Sequence, residues 1–331
     1  MRGAALALSL LLRAVPLRAE APPCRLDGRL LPAARAVLAA ELPVDAEALR
    51  AMTEGASLRA PEVLSWRAEG GDPALREARM HAWIRSRAPA EEGARCAVVT
   101  DGARAAVALV PRAAEVVDLP AREGVRAWQV ALPAGASGAA LLVARGDAAV
   151  ERVALDAEGR ASARVEGAAT MQVVLSREGD VGVWARWTMG VVVERVTEPA
   201  RSPRDVVRAI NALRARASVA ALRMDPLLAS VATSFAARLA SSRQIAHAVD
   251  GLDATGRMAR AGLRADVVAE DVSRSPTLDG AWVALTRSPS HRANLVEARV
   301  DAVGVGLAEA DGQVYLVVLL ASRPGLVGAA P

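Results

Sequence analysis

The chain has 331 residues, enough for two or three domains. It is 53% hydrophobic but only 2% aromatic, so its cores must be built from Ala, Val and Leu, with six tryptophans as the large fillers. The formal charge is +4, yet all 41 basic residues are arginines scattered among 37 acids. No arginine stripe interleaves with aromatics, which argues against nucleic acid as a partner.

The N-terminus has the layout of an export signal. Arg2 is followed by an apolar run from Gly3 to Leu12, and Arg13 ends it short of a membrane span. Ala19-Glu20-Ala21 has the form of a cleavage site, with cutting after Ala19 or Ala21. Residues 1–21 are therefore read as a signal peptide. The mature chain is expected outside the cell or in the periplasm, with no transmembrane helix; a lipid anchor on Cys24 is disfavoured by Ala21-Pro22-Pro23. Cys24 and Cys96 are the two cysteines. An oxidising compartment favours one bridge between them; two buried thiols are the alternative.

Residues 22–95 carry helical periodicity at Leu30–Leu42, Ala46–Met52 and Pro73–Arg85, and are read as a helical region. His81, beside Trp83 in the last segment, reads as a packing residue. From residue 96 to 198 the pattern changes to short valine-rich runs, broken by Pro133-Ala134-Gly135, Gly146-Asp147 and Glu178-Gly179-Asp180. That spacing predicts an all-β, immunoglobulin-like sandwich, with Val191–Val196 as its last strand.

Residues 199–204, with Pro199 and Pro203, form a linker into a C-terminal domain over 205–323. Ser202-Pro203 and Asp225-Pro226 each place a capping side chain before a proline at the first helical position. Shorter helices follow at Ala254–Arg260 and Pro276–Thr286, and a hairpin turning at Asp311-Gly312 closes the domain. Three histidines occur in the chain. His247 lies in a loop, Glu270 on a short extended segment, and His291 in Ser288-Pro289-Ser290-His291-Arg292-Ala293-Asn294-Leu295, after the fourth helix. Neither Ser288 nor Ser290 sits in a glycine-rich nucleophile elbow, so a serine-hydrolase reading is weak.

The ordered set Ile210-Asn211-Ala212-Leu213-Arg214, Asp225-Pro226-Leu227-Leu228-Ala229, Leu239–His247, Arg257 with Ala261-Gly262, Ala269-Glu270-Asp271, Ser288–Leu295 and Val303-Gly304-Val305-Gly306 resembles the bacterial branch of the CAP superfamily. That superfamily comprises cysteine-rich secretory proteins, antigen 5 and plant pathogenesis-related class 1 proteins, and its module is also called the SCP domain. The resemblance covers residues 205–322. It implies a three-layer α-β-α sandwich whose central cavity is lined by His247, Glu270 and His291, with Asn294 nearby. Two imidazoles and a carboxylate suit zinc, with water in the fourth position. The competing reading is a polar network that rigidifies the loops.

Ser290 stands where the family has Gly, Asp271 where it has Asn, and Ile245 where it has an aromatic. No second acid precedes His291; Asp279 is a poor substitute. The expected function is an exported, non-catalytic binding or scaffold protein for a small ligand or an envelope partner. A zinc hydrolase is the alternative, and lipid binding, reported for some family members, ranks third. Finally, Leu26–Arg35 and Arg95–Val99 faintly echo the helix after Asp225 and the strand from Val303. Residues 26–111 are thus a candidate degenerate copy without the histidine pair.

Overall fold

A computed structural model describes residues 22–40, 63–87, 94–111, 114–146, 150–177, 180–190, 199–249, 251–322 and 325–326, with Leu49, Met52, Thr53, Arg59 and Ala60. The proposed signal peptide and the strand expected at Val191–Val196 lie outside the described residues.

The N-terminal part is not purely helical. A two-residue strand β1 (Arg25–Leu26) leads through a 3-10 turn into α1 (Leu31–Ala39). Then come β2 (Leu64–Glu69), α2 (Pro73–Arg87) and the hairpin β3 (Arg95–Asp101) with β4 (Arg104–Val110). The four strands form one sheet in the order β1-β3-β4-β2. So residues 96–110, expected at the start of the sandwich, belong to the N-terminal unit instead. Helix α1 covers one face through Leu30, Ala34 and Val37, and α2 covers the other through Met80 and Ile84. Cys24 and Cys96 form a disulfide, with Cα atoms 6.0 Å apart.

Among the described residues, the sandwich that follows has seven strands. These are β5 (Val116–Leu119), β6 (Val125–Val130), β7 (Ser137–Ala144), β8 (Glu151–Ala154), β9 (Arg160–Arg164), β10 (Ala169–Arg177) and β11 (Asp180–Met189). They make a three-stranded sheet, β5-β6-β9, and a four-stranded sheet, β11-β10-β7-β8. Alternation sets the core. Met171 and Val173 of β10 face inward with Leu141, Val143 and Trp128, while Thr170 and Gln172 point to the opposite face. Trp128 and Trp187 meet edge-on, with centroids 5.7 Å apart.

The C-terminal domain contains α3 (Pro203–Arg216), β12 (Arg223–Met224), α4 (Pro226–Ser242), α5 (Ala254–Arg260), β13 (Leu263–Arg264), β14 (Val268–Ser275), α6 (Leu278–Arg287), α7 (Pro289–Leu295), β15 (Ala302–Ala310), β16 (Gln313–Ala321) and β17 (Gly325–Leu326). The caps read from the sequence are made: Ser202 accepts from the amide of Asp205, and Asp225 accepts from those of Leu227 and Leu228. The main sheet runs β12-β15-β16-β14. Residues Leu316, Val318 and Leu320 of β16 face α3 and α6; Tyr315, Val317 and Leu319 face α4. This is a three-layer α-β-α sandwich. Helix α4 lies so close on β15 that a Cβ at Gly304 would sit 2.2 Å from the backbone carbon of Leu228.

Candidate functional site

Glu270 is the centre of the polar edge of this domain. It lies on β14, opposite Leu319 of β16, with its side chain only 4% exposed. A buried carboxylate is stable only when paired and hydrogen-bonded. Two partners supply this. His247 Nδ1 is 3.1 Å from Oε1, and the Arg257 guanidinium makes a close contact to Oε2.

Arg257 holds the neighbourhood together. It also donates to the backbone carbonyls of His247, at 2.9 Å, and of Leu252, at 2.6 Å. Its guanidinium carbon lies 3.4 Å from the centroid of Phe235, the chain's single phenylalanine. The loop carrying His247 is therefore tied by an arginine on α5 to a carboxylate on β14 and to a ring on α4. The imidazole remains half exposed. Arg257 also lines a pocket of about 240 Å³, with Val231, Phe235, Arg238, Val249 and Leu252. Neither histidine, nor Glu270 or Asn294, lines that pocket.

The other two expected site residues lie on α7. They are His291 and Asn294, and the segment that the sequence placed after the fourth helix is itself a short helix. The proline of Ser288-Pro289 occupies its first helical position. Asn294 Nδ2 donates to Asp271 Oδ1 at 2.8 Å, so it is joined to the residue after Glu270. Asp271 is fully buried, and burial pushes its carboxyl well above the ordinary range. Its Oδ2 has no hydrogen-bond partner among the described residues.

Three placements were not foreseen. Gln172, on the outward face of the β-sandwich and almost fully buried, accepts from the Ser290 amide at 2.6 Å and donates to Ser288 Oγ at 3.4 Å. Ser288 makes no side-chain cap of its own for α7, so a residue from another domain satisfies an orphan donor at this helix start. Arg186 of β11 donates to the carbonyl of Arg287 beside it. Arg214, fully buried at the end of α3, donates to the carbonyls of Ala220, Leu295, Glu297 and Val300. Both arginine roles were hidden by abundance: nothing local marks one arginine among 41.

Zinc, implied by the resemblance, needs three donors aimed at one point. Among the described residues no group of three or more His, Cys, Asp and Glu side chains is so placed. Both Glu270 oxygens are engaged by Arg257 and His247. As arranged, these residues do not fit a zinc site.

The α-β-α layering and the ordered His247, Glu270 and His291 positions define the class of the C-terminal domain. Residues 207–320 match the family model described as the cysteine-rich secretory protein family, CAP. This part of the chain is a CAP domain. Among solved structures, an outer surface protein from Borrelia burgdorferi is similar at 24% identity, covering 36% of this chain and 91% of that one, with a TM-score of 0.34. An extracellular SCP-domain protein from Bacillus anthracis shows 11% identity, 62% and 88% coverage and a TM-score of 0.34. Venom allergen-like protein 4 from Schistosoma mansoni shows 13% identity, 41% and 97% coverage and a TM-score of 0.29. No curated protein matches the chain. Among the described residues, no helix is long and apolar enough to cross a membrane.

Proposed function

We propose that the protein is an exported CAP-domain binding or scaffold protein, with the His247–Glu270 edge presented for ligand or partner recognition and not for catalysis. One observation carries this reading. Glu270, the only acid of the expected trio, is neutralised by Arg257 and held by His247. A buried carboxylate whose two oxygens are already engaged is not free to take a substrate's proton or to hold a metal. The half-exposed imidazole of His247 is the group left to meet a partner. Export is supported by the N-terminal signal pattern and by the Cys24–Cys96 bridge, which persists in oxidising compartments. The division of seven strands into β5-β6-β9 and β11-β10-β7-β8 supports an immunoglobulin-like sandwich, the kind of domain that often spaces or presents others.

Metal content decides between this reading and a zinc hydrolase. Purified wild type and the His247→Ala, His291→Ala double variant are assayed for bound zinc and titrated with zinc by calorimetry. Equal, negligible uptake at micromolar metal is expected. Stoichiometric uptake by wild type that the double variant loses would overturn the proposal.

A further inference from the structure

We infer that residues 24–110 are a second copy of the CAP core from which the site has been removed. The connectivity is the same in both units. A two-residue strand pairs in parallel with the first strand of a hairpin, and the second hairpin strand pairs antiparallel with a strand that leads into a helix: β1-β3-β4-β2 against β12-β15-β16-β14.

The register also agrees. Leu26 pairs with Cys96 as Met224 pairs with Val303. Cys96 pairs with Leu109, and Leu109 with Leu64; likewise Val303 pairs with Leu320, and Leu320 with Ala269. The Asp27 amide donates to the Cys96 carbonyl and the Asp225 amide to that of Val303, both at 2.9 Å. Asp27 and Asp225 each then cap the turn that follows. Side chains fall on matching faces. Leu30, Ala34 and Val37 are buried like Leu228, Ala232 and Phe235. Asp72 accepts from the first amides of α2 where Thr277 caps α6, and Met80 is buried where Leu285 is.

The copies diverge at the site. Asp27 to Asp72 spans 45 residues and Asp225 to Thr277 spans 52, and the missing seven fall before the buried pair Thr53 and Met258, where the His247 loop stands. Met52 takes the place of Arg257, and Ser65 that of Glu270. Ala97 and Val99 replace the close-contact glycines Gly304 and Gly306. The disulfide fits the same scheme. Cys24 and Cys96 stand at the places of Leu222 and Val303, which belong to one apolar core with residues of α3. One chain thus carries one polar edge, and its N-terminal copy is a stapled scaffold.

The correspondence predicts a disulfide where none exists. In the full chain, Leu222→Cys with Val303→Cys is oxidised and mapped by peptide mass spectrometry and thiol titration. A new crosslink between positions 222 and 303 beside an intact Cys24–Cys96, with no free thiol, is expected. Leu222→Cys with Val305→Cys, displaced by two residues, is expected to keep its thiols. Free thiols at 222 and 303, or equal crosslinking in both variants, would overturn the inference. Should the double variant fail to fold, the reverse exchange decides. Cys24→Leu with Cys96→Val should melt higher than the swapped pair Cys24→Val with Cys96→Leu, and equal or inverted melting would refute the equivalence.

Discussion

Arg214→Met tests the packing that places α7. The native guanidinium is fully buried and serves four backbone carbonyls, from Ala220, Leu295, Glu297 and Val300, at 2.6–3.2 Å. Burial lowers its pKa, partly offset by Glu297, but Arg stays charged at any working pH. A hydrogen bond to a charged donor contributes about 1.5–3 kcal/mol, so four give a gross loss of roughly 6–12 kcal/mol. Removing a cation from a low-dielectric interior returns several kcal/mol. The expected net cost is about 3–5 kcal/mol, the range for breaking a buried charged network. Arg214→Lys should recover only part of it, because one ammonium cannot span four carbonyls set by a planar fork. Urea denaturation followed by tryptophan fluorescence reads the change through Trp282, buried in the same core. A loss below about 1 kcal/mol for Arg214→Met would refute the reasoning, since every one of those carbonyls would then have another partner.

Three further outcomes follow from the same geometry. Asp271 has a raised folded pKa, so the native state holds its proton more tightly and stability falls as pH rises from the unfolded carboxylate pKa, near 3.9, through the folded one; Asp271→Asn should flatten that fall and stabilise the protein at neutral pH, and a denaturation series over pH in which the two proteins run parallel would contradict it. Gln172→Ala leaves the Ser290 amide and the Ser288 hydroxyl without their partner at a buried interface. It should cost about 1–3 kcal/mol and split one calorimetric transition into separate sandwich and CAP transitions, whereas an unchanged thermogram would show that the contact does not couple the domains. Gly304→Ala would put a Cβ 2.2 Å from the Leu228 carbon and 2.4 Å from the Ala229 nitrogen; a loss at or above the roughly 1–3 kcal/mol of an overpacked core is expected from thermal melts, and a neutral effect would mean that α4 can move off the sheet.

Elements with strong local signals were legible in the sequence. Ser202-Pro203 and Asp225-Pro226 announced α3 and α4, and Asp311-Gly312 announced the last hairpin, because caps and turns are set by neighbouring residues. Weak strands were not. In β9, Arg160–Arg164, the buried face consists of Ala161 and Ala163, too small to mark an apolar alternation. In β2 only Leu64 and Trp66 stand out, inside a stretch whose alanines and arginines favour a helical reading. The polar edge shows the same division. His247 and Glu270 were found because histidine is rare and the motif order is distinctive, and the structure brings them together. Their partner Arg257 was quoted only as part of a motif, because its role depends on Phe235 of α4 and Glu270 of β14, neither of which is near it in sequence.

The octapeptide from Ser288 to Leu295 owes its shape to three distant elements. Helix α7 has only seven residues, too few to hold itself together in water. Its first turn is held by Gln172 of the sandwich, its last carbonyl by Arg214 of α3, and Asn294 by Asp271 of β14. His291 is carried on that helix, whereas His247 is placed by Arg257 and Glu270. The two histidines that the motif treats as a pair thus sit on different elements, one on a short helix and one on a loop. A change at Gln172 therefore bears directly on the start of the helix that carries His291.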